Sequence, residues 1–382
     1  MNFTRIALAG SLLATGFLFA RADVPVQQPS ARPEVEVVFC LDTTGSMGGL
    51  IDAAKKKIWT ISNQISSGTP TPHVKIGLVA FRDRGDDYIT RVFDLTDDLD
   101  AVYGNLMKFQ AAGGGDTPES VNQALYESVT KIKWSDQKKT LKLIFLVGDA
   151  PPHMDYKDDV KYTETCKLAV AKDIIINTVQ CGRDPECTKY WKDICRLAEG
   201  SFVQIDQHGG PIVTVATPFD KELSEINREL TKNTLVYGAP KAQEAGKAKK
   251  AAGAALPAGP AADRAAFNAR TSGGGSSYDL LTNVKNGKVK LESLKKDELP
   301  EELQNLTVAE QKEFLDKLDC RRQELSKQAI DLDKKRNEFI AKKQADDTKN
   351  AARDSFDNQV LGILQRQAGR ADLRYGVDEK KK

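Results

Sequence analysis

The 382-residue sequence predicts an α/β fold: a doubly wound, mostly parallel six-stranded sheet with helices on both faces, followed by a C-terminal helical region. Three observations predict it. Between Glu34 and Leu235 apolar runs alternate with amphipathic stretches long enough to be crossover helices, the pattern of βαβ units. The first run, Val37 to Leu41, is continuously apolar, as a strand buried on both faces reads. Only "DRGDDY" separates the second run from the third, too little chain for a crossover helix, so these two form an antiparallel hairpin at the sheet edge.

The elements follow in order. Glu34–Leu41 is the first strand, and Met47–Ile65 carries the helical period behind it. Val74–Arg82 and Ile89–Leu95 make the hairpin, and Glu119–Ile132 is the next helix, with Pro118 at its start. Leu141–Val147 is the fourth strand, Asp158–Lys172 a helix and Ile174–Cys181 the fifth strand. Pro185–Leu197 begins with an N-cap aspartate, Asp184, and a proline in the first turn. Ser201–Ile205 and the helix Phe219–Thr231 complete the domain at 34–235.

The flanking texture differs. Residues 1–22 have one basic residue, Arg5, an apolar run from Ile6 to Ala20, and the small-x-small pattern Ala20-Arg21-Ala22. The run is shorter than the roughly 20 residues of a membrane span, so it reads as a cleaved secretory leader. Stable membrane insertion after cleavage is not expected, and the mature chain is expected to be secreted or periplasmic. Residues 238–277 are rich in Ala, Gly, Pro and Lys and read as a low-complexity linker. Residues 278–370 are charged and helical. Leu318, Leu325, Leu332 and Phe339 recur every seventh residue, a coiled-coil spacing weakened by Arg322, Ala329 and Arg336 at the second heptad position. A helical hairpin is preferred, with Val360, Leu361, Ile363 and Leu364 packing back on that stripe. Residues 371–382 read as a disordered tail.

Charge excludes one class of partner. Lys+Arg of 56 against Asp+Glu of 54 leaves no overall field for nucleic acid, and three histidines argue against a histidine-rich metal site.

Ligands of open parallel sheets collect at the carboxyl ends of strands. Here those ends carry oxygen donors: Asp42, Thr44 and Ser46 after the first strand, Thr117 in "GGGDTPES", and Asp149 in "LIFLVGDAPPH". Two carboxylates and three hydroxyls suit magnesium, which prefers octahedral oxygen coordination and keeps waters. Manganese and calcium are the alternatives. Helix capping by Thr44 accounts for part of the pattern but not for Thr117 and Asp149.

This constellation resembles the von Willebrand factor type A domain and its metal-ion-dependent adhesion site, of the bacterial secreted type. The family pattern Asp-x-Ser-x-Ser appears as Asp42-Thr43-Thr44-Gly45-Ser46, with Thr44 in place of the first serine. The resemblance implies that Thr44 and Ser46 ligate the ion directly and Asp42 acts largely through water. It implies that Thr117 and Asp149 complete the shell. An ion held by hydroxyls and water stays electrophilic, which favours a protein or peptide ligand whose acidic residue fills the open position. Asp116 and Glu119 are expected to bind outer waters or to cap the following helix. His153 is expected at the rim as an exposed loop residue, and Phe81 to Arg84 as a turn with solvated charges.

Enzyme motifs fail residue by residue. Thr44 stands where an Asp-x-Asp-x-Thr phosphatase needs its second acid, Asp-Thr-Thr is not the aspartic-protease triplet, and Ser46 has no evident histidine base. No Walker or zinc-protease motif occurs. No catalytic residue is assigned. The expected function is metal-dependent protein binding. The rival is an envelope scaffold whose helical region carries the specific contacts.

The cysteines complete the reading. Cys187 and Cys195 lie too far apart on one helix to bridge, and the helices carrying Cys166 and Cys195 should lie side by side. The expected pairs are Cys166–Cys195 and Cys181–Cys187, with Cys40 and Cys320 free; free buried thiols, as small core residues, and a zinc site are the alternatives.

Overall fold

The structure is a computed structural model that describes residues 32–115, 117–208, 215–271, 277–346 and 355–375. The leader at 1–22 and Asp116 lie outside the described residues.

Nine consecutive buried residues make β1 (Glu34–Asp42) the centre of the sheet. It is flanked in parallel by β2 (His73–Phe81) and β4 (Leu141–Gly148). The parallel pairs continue through β5 (Ile174–Cys181) to β6 (Phe202–Ile205), and β3 (Thr90–Thr96) closes the other edge antiparallel to β2. The order is β3-β2-β1-β4-β5-β6. Alternation along β1 builds two cores. Val35, Val37, Phe39 and Leu41 enter one layer, and Val38 and Cys40 the other.

The first layer is covered by α1 (Gly48–Ser66) and α2 (Leu99–Leu106), the second by α3 (Val121–Thr130), α4 (Tyr162–Ala171) and α5 (Pro185–Leu197). The second helix is an addition to the expected set. It is a short helix capped by Asp98, whose carboxylate accepts from Ala101 N at 3.0 Å. The remaining helices are α6 (Asp220–Lys232), α7 (Pro240–Ala254), α8 (Ala258–Arg270), α9 (Leu280–Lys285), α10 (Val308–Asp346) and α11 (Phe356–Gln367).

Four expectations are corrected. The stretch 238–277 is no linker over its described part, because it contains α7 and α8. Alanine is the best helix former, and its small side chain lets helices approach closely, so low hydrophobicity does not prevent packing. Ala261, Ala262, Ala265 and Ala266 are all buried, and Phe267 joins the sheet core beside Trp59. Second, α11 does not fold back on the leucine stripe of α10. Its Phe356, Val360, Ile363 and Leu364 pack in the first layer with β1 and α1, each stabilising by about 1.5–3 kcal/mol. Leu325 and Leu332 pack instead against α6 and α8.

Third, the described part of the tail is ordered by contacts. Ala371 and Leu373 are buried, Arg374 pairs with Thr69, and Tyr375 Oη donates to Ile65 O at 2.8 Å. Fourth, all six cysteines are free. Cys181 faces the first layer and Cys187 the second, on opposite sides of the sheet. Cys166 and Cys195 do lie on adjacent helices, but their thiols donate to the carbonyls of Ile194 and Lys192. Burial pushes the Cys166 thiol up to about 12 and raises Cys195 as well, so neither is a ready thiolate.

A buried ionic network fixes the helical region to α1. Asp263 accepts from Thr60 (2.8 Å), Asn63 (3.1 Å) and Arg336 (2.8 Å), and Arg336 also donates to Asp220 at 2.7 Å. Arg270 pairs with Asp333. No helix among the described residues is long and apolar enough to cross a membrane.

Candidate metal centre

Asp42 ends β1, and Asp149 stands one residue past the end of β4. The register Leu41↔Val147 brings these strand ends side by side. Gly148 permits the approach: a Cβ there would stand 2.9 Å from Asp42 Cβ and 3.0 Å from its Oδ2. Asp42 Oδ1 accepts from Thr44 N (2.9 Å) and Thr44 Oγ1 (2.7 Å), which folds the loop back over the carboxylate. Ser46 Oγ lies 3.4 Å from Thr44 Oγ1. These four sequence-derived residues are therefore neighbours. Thr117, beside the cis peptide Thr117-Pro118, is exposed and makes no hydrogen bond among the described residues.

A glycine loop closes the front. Gly45 N donates to Gly113 O at 3.1 Å and Ala112 N to Thr43 O at 3.2 Å. Gly114 has φ +76°, and a Cβ on it would stand 3.1 Å from Thr44 Cβ and 3.2 Å from Glu119 Oε1. Glu119 thus reaches the site and is buried, which its sequence position left open between capping and water binding. Gln207, two residues past β6, donates from Nε2 to Asp149 Oδ2. Sequence reading missed it, although the strand-end rule that selected Asp42 and Asp149 points at this position too.

The rim corrects two further expectations. Arg82 and Asp83 are buried, not solvated. Arg82 donates to Thr43 O (3.1 Å) and Gln110 O (2.9 Å), and Asp83 accepts from Ser120 (2.7 Å) and Tyr156 (2.8 Å). His153 is also buried. It stacks on Tyr156 at 4.0 Å, and its Nε2 lies 3.3 Å from Asp83 Oδ2 without hydrogen-bond geometry.

The electrostatics are those of uncompensated negative charge. Burial, then repulsion from Asp149, pushes Asp42 up to about 7 from an ordinary 3.8, against the Thr44 hydrogen bonds. Burial, then Asp42, Asp83, Asp86 and Asp149, pushes Glu119 up to about 9. Among the described residues, Asp42 Oδ2 and Glu119 Oε2 are buried without a hydrogen-bond partner. Such atoms are rare and costly unless something answers them. A divalent cation fits this donor set. Among the described residues no group of three or more His, Cys, Asp or Glu is arranged to hold a metal, so a cation here would depend on the hydroxyls of Thr44 and Ser46 as well. An oxygen-only set of this kind favours a hard ion.

Residues 36–207 match the family model of the von Willebrand factor A domain. A curated relative, von Willebrand factor A domain-containing protein 7 of Rattus norvegicus, is 42% identical over 120 residues, or 31% of this chain. The matched part spans only 12% of that protein's length. Among solved structures, proximal thread matrix protein 1 (PTMP1) from the mussel byssus, with zinc occupied MIDAS motif, shares 15% identity at a TM-score of 0.37. It covers 45% of this chain and 42% of that one. The SpRpn10 VWA domain shares 16% identity at a TM-score of 0.36, over 48% of this chain and 100% of that chain.

Proposed function

We propose that this von Willebrand factor A-domain chain is an exported binding protein that captures an acidic group of a protein or peptide partner through a divalent cation. Asp42, Thr44, Ser46, Thr117 and Asp149 hold the ion, magnesium first, with manganese or calcium as alternatives. The observation that carries the reading is the buried Asp42 Oδ2, unpartnered among the described residues, beside Asp149 and two hydroxyls. A cation supplies the missing partner and an electrophilic open position. The chain's own contribution is positional: Thr44 fixes one oxygen of Asp42, Gly148 lets the two strand ends meet, and the Gly113–Gly114 loop screens the front. Export rests on the leader pattern at 1–22, and no catalytic role is assigned to any residue.

The test is capture of envelope proteins by the immobilised full chain in magnesium. Retained partners are expected to elute with chelator, to return with magnesium or manganese, and to be lost when carboxyl groups in the extract are amidated beforehand. Retention that resists chelation removes the ion from the mechanism.

A further inference from the structure

We propose that Gln207 is a positioning residue that holds Asp149 to single-oxygen coordination and so sets which divalent cation the site prefers. This rests on the cation-site reading above. The Gln207 amide donates to Asp149 Oδ2, while among the described residues no hydrogen bond reaches Asp149 Oδ1. One oxygen is thereby committed and one is left for an ion.

Two glycines show that the segment Asp206–His208 is built against the site. Gly182, at φ +76°, takes Gln207 on its bare face, and a Cβ there would collide with Gln207 Oε1. Gly49, in the first turn of α1, takes His208. A Cβ on Gly49 would stand 2.7 Å from His208 Cβ and 3.0 Å from its backbone. His208 N is in turn fixed by Asp206 Oδ1 at 3.0 Å. The segment is therefore wedged between the helix that follows the Thr44–Ser46 loop and the β5 end, with Gln207 aimed at Asp149.

The consequence is chemical. A carboxylate tied at one oxygen offers monodentate coordination, which suits the small octahedral shell of magnesium. A carboxylate free to rotate can become bidentate, which calcium accepts in its larger and more flexible shell. Outer hydrogen-bond partners of metal ligands typically contribute about 10–100-fold in affinity.

Calorimetric titration of magnesium and of calcium into the full chain tests this with Gln207→Leu, which keeps the bulk and removes the donor. The expected result is a magnesium affinity at least about tenfold weaker, a smaller change for calcium, and hence a lower magnesium-to-calcium ratio. Gly49→Ala displaces His208 without touching Gln207 or Asp149, and alanine is the better helix former. The same fall in the ratio is expected. Wild-type constants for both ions in Gln207→Leu overturn the proposal and leave the site standing. Equal losses for both ions, with a lower melting temperature in chelator, assign Gln207 a merely structural part and also overturn it. A wild-type chain that binds neither ion overturns the site reading and this proposal together.

Discussion

On the proposed cation reading, Asp149 serves opposite ends with and without an ion. In the bare site its charge is one of the two main reasons that Asp42 resists ionisation, burial being the larger. Replacing Asp149 with alanine relieves that repulsion, and Gln207, being only half-buried, can turn its amide to water. In chelator, Asp149→Ala is expected to melt no lower than the wild type. In magnesium the wild type is expected to gain stability by ligand linkage, about 2.7 kcal/mol at 100 times the dissociation constant, and the variant none. Melting temperatures with and without magnesium check both halves. A variant that is less stable in chelator gives Asp149 a structural part. At this scale the sequence was legible where chemistry and strand ends coincide. Asp42, Thr44, Ser46 and Asp149 could be placed because parallel strands deliver their carboxyl ends to one edge. The orphaned Glu119 Oε2, the buried His153 and the Gln207 contact depend on how loops fold over that edge, and no local periodicity encodes that.

Among the elements, the strands and the charged helical region after 278 were readable, and the helices α7 and α8 were not, for a physical reason. A strand buried on both faces reads as a near-continuous apolar run, so residues 37–41 of β1, 143–147 of β4 and 174–176 of β5 announce themselves. They do so even though buried Glu36, Lys142, Asn177 and Gln180 interrupt the pattern. The α8 helix joins the core through alanines and buried ion pairs, which composition reads as linker. Those pairs give the helical region a dependence on acid. Burial would raise Asp100, but Arg264, donating from Nε and Nη2 at 2.9 and 2.8 Å, holds it below its ordinary 3.8. Asp279 is likewise buried yet held down, by Arg322. A depressed carboxylate contributes stability above its unfolded value and loses it as pH falls through the folded one. Asp263 has the opposite sign, since burial outweighs Arg336 and raises it, so it adds nothing to acid sensitivity. Urea midpoints of the full chain are therefore expected to fall as pH drops below about 4. Asp279→Asn is expected to fall less steeply than the wild type. Equal slopes in the two proteins would show that the Asp279–Arg322 pair has no part in the loss.

For the molecule as a whole, the question is where the domain ends. Sequence texture sets the boundary near Leu235, because the alternation of strands and helices stops there. The packing sets it later. Ring centroids of Phe39 and Phe356 lie 6.1 Å apart, those of Trp59 and Phe267 lie 6.5 Å apart, and Lys57 pairs with Asp357 at 3.0 Å. The first layer of the sheet core is thus finished by two helices from the other side of the proposed boundary. A fragment covering residues 34–235 would uncover the faces of β1 and α1 that meet Phe267, Phe356, Val360, Ile363 and Leu364. An exposed apolar face of that kind drives association. The fragment is expected to aggregate, or to bind a hydrophobic dye and unfold without a cooperative transition, while the full chain melts as one unit. If instead the fragment is monomeric and melts cooperatively, α8 and α11 are accessories to a self-sufficient domain. In the expected case the helical region has a second consequence. The Asp263–Arg336 network and α11 both grip α1, the helix whose first turn follows Ser46, so the integrity of that region governs how firmly the site's hydroxyls are held.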